Sequence, residues 1–297
     1  MIQVNVGGVP EHFNLAWQLA IESDEFRKHN IDIKWSDIPG GTGAMCKSLE
    51  NGELDIIVAL TEGMIKAITA GNPSKIIQFY VNSPLRWGIF VNEKSNITKI
   101  EQMSGLKYAI SRYGSGSHLI AQVNASNHKL DLKPEDFVLV NDITGARKAL
   151  ANDEAQLFLW EKFMTKPFVD NGEMRMIGIC DSPWPSFVIA ASDTFIKNHE
   201  KTLHTILEIV KNSCAALKNN LKAPDLVAER YGIKYEDAAQ WFKELEYAEK
   251  SKIEEGDLRL ILYRLHKFGI VETVPEINSI IYGNNLEVTN SVLPDSY

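Results

Sequence analysis

The sequence predicts an α/β protein of two lobes, the second inserted into the first, with a helical C-terminal region packed on the first lobe. Three observations carry this expectation. Apolar strand-like runs alternate with helical stretches from Ile2 to Ala191, the pattern of strand–helix crossover units. Two proline-marked interruptions, Asn82-Ser83-Pro84 and Asp181-Ser182-Pro183-Trp184-Pro185, divide that alternation, and a residue before proline is pushed out of the helical region. One grammar also occurs twice. Ile38-Pro39-Gly40-Gly41-Thr42-Gly43 opens a helix ending in Asn51-Gly52-Glu53, and the strand Leu54–Leu60 then stops at Thr61-Glu62-Gly63. Asn141-Asp142-Ile143-Thr144-Gly145 opens another ending in Asn152-Asp153-Glu154, and Ala155–Leu159 stops at Trp160-Glu161. Each copy ends in a carboxylate at the C-terminal end of a buried strand, where open α/β sheets place their ligand crevice.

The elements follow in order. Strand 2–6 leads into a helix over 12–29, where Phe13, Ala16, Leu19 and Ala20 recur at helical spacing while Glu22, Asp24, Glu25, Arg27 and Lys28 crowd the exposed end. Strand 31–35, helix 42–51, strand 54–60, helix 62–71 and strand 75–81 complete a mainly parallel sheet with right-handed crossovers. After the first crossing come the extended run Trp87–Val91, strand 107–111, helix 116–127, strand 137–140, helix 145–152, strand 155–159, helix 161–170 and strand 174–179. Phe187–Ala191 reads as a strand returning to the first sheet. The expected division is therefore lobe 1 from 1–86 and 187–297, and lobe 2 from 87–186. Beyond Asp193 the texture is helical: His204, Ile206, Leu207, Ile209, Val210, Cys214 and Leu217 form an apolar face, and helices follow near 224–231, 235–248 and 257–268. These would coat lobe 1 and brace the hinge. A strand is expected at Ser279–Tyr282.

A chain of 297 residues exceeds one core. Its 31 Lys and Arg against 39 Asp and Glu give a net charge of −8, which repels phosphate backbones, so nucleic acid is not an expected partner. Cys46, Cys180 and Cys214 form no CxxC pair and are expected reduced and buried. No apolar stretch has the length to cross a bilayer, and no basic, apolar leader precedes Ile2. The expected location is cytoplasmic, or periplasmic if a leader has been removed, with no direct membrane insertion in either case.

Candidate site residues gather at strand ends. Pro10, Glu11 and His12 follow the first strand, on the same edge as Gly40, Gly41, Thr42, Thr61 and Glu62. Helix capping is the alternative role for Glu11 and His12. Glycines at a helix start serve a turn and also leave backbone N–H groups bare. In lobe 2, Tyr113, Gly114, Ser115, Gly116 and Ser117 repeat the arrangement as an anion cradle, but no lysine follows the glycines as a nucleotide phosphate loop requires. A helix N-terminus offers an anion about 0.3–1 kcal/mol, and ~2 when partly buried, whereas micromolar affinity needs about 8. Aromatic burial must supply the difference, and Tyr113, Trp160, Trp184 and Trp87 are available for it or for ordinary packing. Stacking faces with Glu11, Glu62 and Glu161 point to a flat ligand carrying amino groups.

Catalytic patterns are weaker. Histidines at 12, 29, 118, 128, 199, 204 and 266 form no HExxH or paired ligand spacing, so no metal site is expected. No GxSxG nucleophile signature occurs. No catalytic residue and no cofactor are expected.

The order and spacing of Gly8-Val9-Pro10-Glu11-His12, Asn30-Ile31-Asp32-Ile33, Pro39-Gly40-Gly41-Thr42, Asn51-Gly52-Glu53-Leu54-Asp55-Ile56, Ala70-Gly71, Ser83-Pro84-Leu85 and Leu159-Trp160-Glu161 resemble the type II periplasmic-binding-protein superfamily. The resemblance covers residues 1–215 and is to its sulfonate, taurine and thiamine-pyrimidine (NMT1/THI5-like) branch. It implies two Rossmann-like α/β lobes joined by a two-strand hinge, closure on an enclosed ligand, and an ABC transporter permease as partner if the protein is exported. It also brings in Ser83 at the crossing, His12 where pyrimidine binders carry a histidine, and Trp160-Glu161.

The branch includes fungal enzymes that build the thiamine pyrimidine from pyridoxal phosphate and histidine. Those carry a lysine at the end of the third strand and a cysteine-dense stretch before the return strand. Here Val58-Ala59-Leu60-Thr61-Glu62-Gly63 has no lysine before Lys66, and Ile179-Cys180-Asp181-Ser182-Pro183-Trp184 has one cysteine. The expected function is a small-molecule binder closing on a flat, amine-bearing ligand, a pyrimidine related to thiamine. The alternatives are a biosynthetic enzyme and an importer receptor.

Overall fold

A computed structural model of the chain describes residues 1–250, 253–283 and 286–287. Along the chain lie β1 (Ile2–Gly8), α1 (Leu15–Glu22), β2 (Ile31–Asp37), α2 (Gly41–Glu50), β3 (Ile56–Leu60), α3 (Thr61–Thr69) and β4 (Ser74–Val81). Then come β5 (Arg86–Asn92), β6 (Tyr108–Ile110), α4 (Gly116–Asn127), β7 (Phe137–Leu139), α5 (Ile143–Ala151), β8 (Leu157–Glu161), α6 (Lys162–Asp170), β9 (Met174–Asp181) and β10 (Phe187–Ser192). The helices α7 (Asp193–Lys218), α8 (Ala223–Tyr231), α9 (Tyr235–Glu244), α10 (Glu255–Lys267) and α11 (Ile277–Ile280) follow. The chain divides into two compact units, Met1–Ser83 with Trp184–Tyr297, and Pro84–Pro183.

The first unit holds a five-stranded sheet of order β2-β1-β3-β10-β4. β1 runs parallel to β2 and β3, and β10 is antiparallel to both β3 and β4. The second unit repeats the scheme as β7-β6-β8-β5-β9, with β6 parallel to β7 and β8, and β5 antiparallel to β8 and β9. Both sheets are thus mixed where the alternation implied mainly parallel ones. The strand that returns from the crossing, or leads in from it, enters its sheet in the opposite sense.

β3 reads Ile-Ile-Val-Ala-Leu without alternation because helices cover both faces of its sheet, and all but its last residue are buried. In the second unit Phe90, Phe158, Ala109, Ala146, Leu150 and Met174 form one buried cluster. Each large side chain there contributes about 1.5–3 kcal/mol of burial. The three cysteines form no disulfide and are buried. Among the described residues no helix is long and apolar enough to cross a membrane.

Three elements differ from expectation, the first being the helix near 235–248, which ends at Glu244 because Leu245 turns extended and Tyr247 bridges to Val81 of β4. The helix over 12–29 is a 3-10 turn at His12–Asn14, the two-turn α1, and a second 3-10 turn at Arg27–His29. Asp24 takes φ 58°, a left-handed conformation that ends a helix. The strand expected at Ser279–Tyr282 is instead the end of α11, followed by a single bridge from Ile281 to Ile76 of β4.

α7 packs on α1 and β10, and α10 on α3. The segment after α9 runs along β4: the Ala248 N–H donates to the Tyr80 carbonyl, while the Asn82 and Ser83 N–H groups donate to the Glu246 carbonyl.

Candidate functional site

Parallel strands put their C-terminal ends on one edge, and the antiparallel strand puts its N-terminal end there. In the first unit that edge collects Pro10, Glu11 and His12 after β1, Gly40, Gly41 and Thr42 after β2, Thr61 and Glu62 after β3, Ser83 after β4, and Trp184 before β10. In the second it collects Tyr113–Ser117 after β6, Trp160 and Glu161 at the end of β8, and Trp87 at the start of β5.

On the first edge Glu62 is the carboxyl bonded to another candidate site residue. It is 4% exposed, and burial pushes its carboxyl up to about 7, against weaker opposing bonds from its own backbone and Trp184. The Trp184 indole N–H donates to Glu62 Oε2 at 2.9 Å, so two residues expected to touch a ligand separately touch each other. Beside them the Thr61 hydroxyl donates to the Pro185 carbonyl at 2.6 Å and the Thr61 N–H to the Ser186 carbonyl at 3.1 Å. The chain entering β10 is therefore fastened to the first turn of α3.

Thr42 accepts from the Leu60 N–H at 3.0 Å and so closes the end of β3. Gly41 has φ +68°, with nothing near its Cβ direction, so its role is the turn that starts α2. Ser83 accepts from the Glu246 N–H at 3.1 Å, and its carbonyl accepts from the Ser186 hydroxyl at 2.8 Å. Pro10 is exposed.

Glu11 does not cap the turn that follows it: no side-chain cap bond is made there. Burial pushes its carboxyl up to about 7. His12 is fully buried, and desolvation holds it neutral by lowering its pKa to about 3. Its ring lies 4.7 Å from Phe13, and 4.3 Å edge-on from Trp241 of α9. Two buried phenols, Tyr80 and Tyr247, both donate to the neighbouring Phe13 carbonyl, at 2.8 and 3.2 Å.

On the second edge Ser115 caps α4 by accepting from the His118 N–H at 3.3 Å. Ser117 accepts from the Ser111 N–H at 3.0 Å and lies 3.0 Å from the Ser115 hydroxyl. The Gly114 N–H donates to His118 Nδ1 at 3.0 Å. Three buried hydroxyls thus surround a helix start, where the N–H groups of Gly116 and Ser117 lie too early to have intrahelical partners. Tyr113 is half exposed and donates to the Pro134 carbonyl at 3.1 Å. Trp160 stacks on Phe158 at 5.2 Å and meets Trp87 edge-on at 6.4 Å.

Glu161 caps α6: its Oε2 accepts from the Met164 N–H at 2.6 Å. The residue before α3 is Leu60, with φ −59° and ψ 134°, and the residue before α6 is Glu161, with φ −54° and ψ 127°. By backbone geometry Glu161 therefore corresponds to Leu60, not Glu62, and Lys162 corresponds to Thr61. The two carboxylates of the repeated grammar are not equivalents. Lys162, 6% exposed with Nζ 4.5 Å over the Phe163 ring, is an edge residue that sequence reasoning passed over. So are Tyr231 and Trp241, whose helices read only as packing. Among the described residues no group of three or more His, Cys, Asp or Glu is placed to hold a metal ion.

A family model described as Ca3427-like PBP matches residues 87–180. The Candida albicans CA3427 gene product, a solved structure described as exhibiting the generic periplasmic binding protein fold, is similar over 100% of this chain and 99% of its own, with a TM-score of 0.84 and 23% identity. The chain has the periplasmic-binding-protein fold. That fold recurs at lower identity in the periplasmic aliphatic sulphonate binding protein SsuA from Escherichia coli, with a TM-score of 0.73, 16% identity, and 99% and 96% of the two chains covered. A ligand-binding component of an ABC-type import system from Staphylococcus aureus, with zinc bound, gives a TM-score of 0.76 at 11% identity over 96% and 98%. No curated protein matches the chain. In the periplasmic-binding-protein fold the doubled 2-1-3-n-4 strand order, seen here in each unit, accounts for both edges described above.

Proposed function

We propose that the protein is a non-catalytic solute-binding protein that closes on a small, flat, amine-bearing molecule, an aminopyrimidine related to thiamine being the expected type. The observation that carries this reading is Glu62: a buried carboxyl beside an indole, held near neutrality by desolvation. A carboxyl in that state gains most from a ligand that brings hydrogen-bond donors or positive charge. Pro10, Gly40, Gly41, Thr42, Thr61 and Ser83 would border it, and Trp160 would offer a stacking face. The start of α4, with Gly114, Ser115, Gly116 and Ser117, would take an acidic substituent, as suits a fold whose neighbours include a sulphonate binder. The likeness to an import-system component supports a transporter as partner. The enzyme alternative finds no comparable support, since Lys66 sits in the last turn of α3 and not at the strand end.

Calorimetric titration with aminopyrimidines, sulfonates and pyridoxal phosphate tests this. Binding of an amine-bearing member in the micromolar range, about 8 kcal/mol, is expected. No binding to any of the three classes removes the reading.

A further inference from the structure

We propose that the segment from Leu245 to Ala248 is a strap that stiffens the hinge, with Lys218 as the positioning residue that holds it. The strap acts with no solute present. The chain passes between the two units at Ser83-Pro84 and at Pro183-Trp184, and each proline stands between residues fastened to different units. On the first-unit side the Ser83 hydroxyl accepts from the Glu246 N–H at 3.1 Å, and the Ser83 carbonyl accepts from the Ser186 hydroxyl at 2.8 Å. Trp184 is tied to Glu62. On the second-unit side Leu85 and Ser182 exchange two bonds of 2.9 Å. Proline fixes its own φ and restricts the residue before it, so few soft dihedrals remain at either crossing. How easily the units turn then depends on how firmly the residues flanking the prolines are held.

At the first crossing the hold comes from 163 positions further along the chain. After α9 the extended segment bridges Val81 through Tyr247, and the Ala248 N–H donates to the Tyr80 carbonyl at 3.0 Å. β4 ends at Val81, yet the bonding continues past it: the Asn82 and Ser83 N–H groups both donate to the Glu246 carbonyl, at 2.8 and 3.3 Å. The segment therefore grips the crossing itself, up to the residue before Pro84. It is anchored on both sides. Lys218, the last residue of α7, donates from Nζ to the Phe242 and Leu245 carbonyls at 2.8 and 2.7 Å, and its Nζ lies 4.6 Å over the Phe242 ring. An ammonium on the last carbonyls of a helix makes the stronger, charge-assisted kind of bond. At the other side the buried Tyr247 phenol donates to the Phe13 carbonyl at 3.2 Å. Lys218 thus fixes where α9 ends, and through Glu246 it fixes Ser83.

Single-molecule energy transfer between dyes on Leu221→Cys and Leu139→Cys tests this on the full chain without any solute. Leu221 of the first unit is 96% exposed and Leu139 of the second 54%, and the native cysteines are buried, so the dyes go to the new thiols. The same background carries Lys218→Met or Ser83→Ala, with amide hydrogen exchange as the local readout and circular dichroism melting as the control for folding. In Lys218→Met the Asn82 and Ser83 amides should exchange about tenfold faster while those of Leu85 and Ser182 keep their rates, and the transfer distribution should broaden. Ser83→Ala should broaden it less. Should Lys218→Met fail to melt cooperatively, Ser83→Ala, which leaves Lys218 and α9 in place, decides alone. A distribution as narrow as the parent's despite faster exchange at Asn82 and Ser83 overturns the strap. So does unchanged exchange in both variants. Because no solute enters the experiment, either result leaves the solute-binding reading to its own titration.

Discussion

At the edge of the first unit Glu62 and His12 titrate away from their ordinary ranges in ways that oppose each other in stability. The Glu62 carboxyl is raised from 4.5 to about 7 by burial. Between those pH values the unfolded chain has released this proton and the folded chain has not, so stability falls as pH rises through the window and is flat above it. The full cost is about 3 kcal/mol, since each tenfold change in proton affinity corresponds to roughly 1.4 kcal/mol. Desolvation lowers His12 from 6.5 to about 3, so its contribution runs the other way: stability rises from pH 3 to 6.5, as the unfolded imidazole loses its proton. Glu11, likewise raised from 4.5 to about 7 by burial, adds a second falling slope, so between pH 4.5 and 6.5 the rise from His12 offsets one of the two carboxyls and stability still falls. Glu62→Gln keeps an acceptor for the Trp184 indole and removes one of the two falling limbs. Its urea midpoint should therefore stay nearly level from pH 4.5 to 6.5, where the wild type's falls, and exceed the wild type by the largest margin at pH 8. Profiles that stay parallel across this range would show that Glu62 is not raised. Sequence alone placed Glu62 and Trp184 at strand ends, yet their bond spans 122 positions and has no local signal.

Elements were legible where periodicity and turn chemistry agree, and less so where one residue breaks a run. The helix starts Gly41-Thr42-Gly43 and Ile143-Thr144-Gly145 both open a helix where the sequence expects one, but by different means: α2 begins on the left-handed Gly41 with no side-chain cap, whereas Asp142 caps α5 by accepting from the Gly145 N–H. At Gly145 a Cβ would lie 1.9 Å from the Val140 carbonyl oxygen, a clash with backbone that no rotamer relieves. Gly145→Ala is expected to cost more than about 2 kcal/mol, read from the denaturation midpoint, where an ordinary helical Gly→Ala change would stabilise. One helix later the repeat slips. Glu161 reads as the partner of Glu62 because both carboxylates end a strand, but its dihedrals place it at the cap of α6. Replacing it with alanine removes the bond to the Met164 N–H and should cost about 0.5–2 kcal/mol. Glu161→Asp should recover part of this, and an unchanged melting temperature for the alanine variant would argue against the cap. The helix read over 12–29 fails for a similarly local reason, the left-handed Asp24, which a count of apolar spacings does not register.

For the whole molecule, alternation and the two proline-marked crossings carried the architecture, because strand–helix crossovers leave few topologies to choose from. What they could not carry was the part played by α8, α9 and the segment after them. Tyr231, Trp241, Glu246 and Tyr247 reach the β1 edge and the first crossing only through tertiary packing. Both sheets are complete within their own unit, and this has a consequence for folding. In the second unit the Leu85 N–H donates to the Ser182 hydroxyl at 2.9 Å, and the Ser182 N–H donates to the Leu85 carbonyl at 2.9 Å. Its two chain ends are thus joined by reciprocal bonds. A fragment of residues 84–183 has a five-stranded sheet, its own buried cluster and adjacent ends, which meets the requirements of an independent domain of about 100 residues. It is expected to unfold in one cooperative urea transition with dispersed amide resonances. In the first unit the Ser83 carbonyl and the Ser186 hydroxyl are already bonded, so a short linker between those positions should likewise leave that unit folded, provided residues 223–248 are kept. Truncation before Ala223 would strip Trp241 from His12 and Tyr247 from the Phe13 carbonyl. Rapid proteolysis and loss of cooperativity are then expected, and a truncated chain that melts like the intact one would show that α8 and α9 are mere appendages.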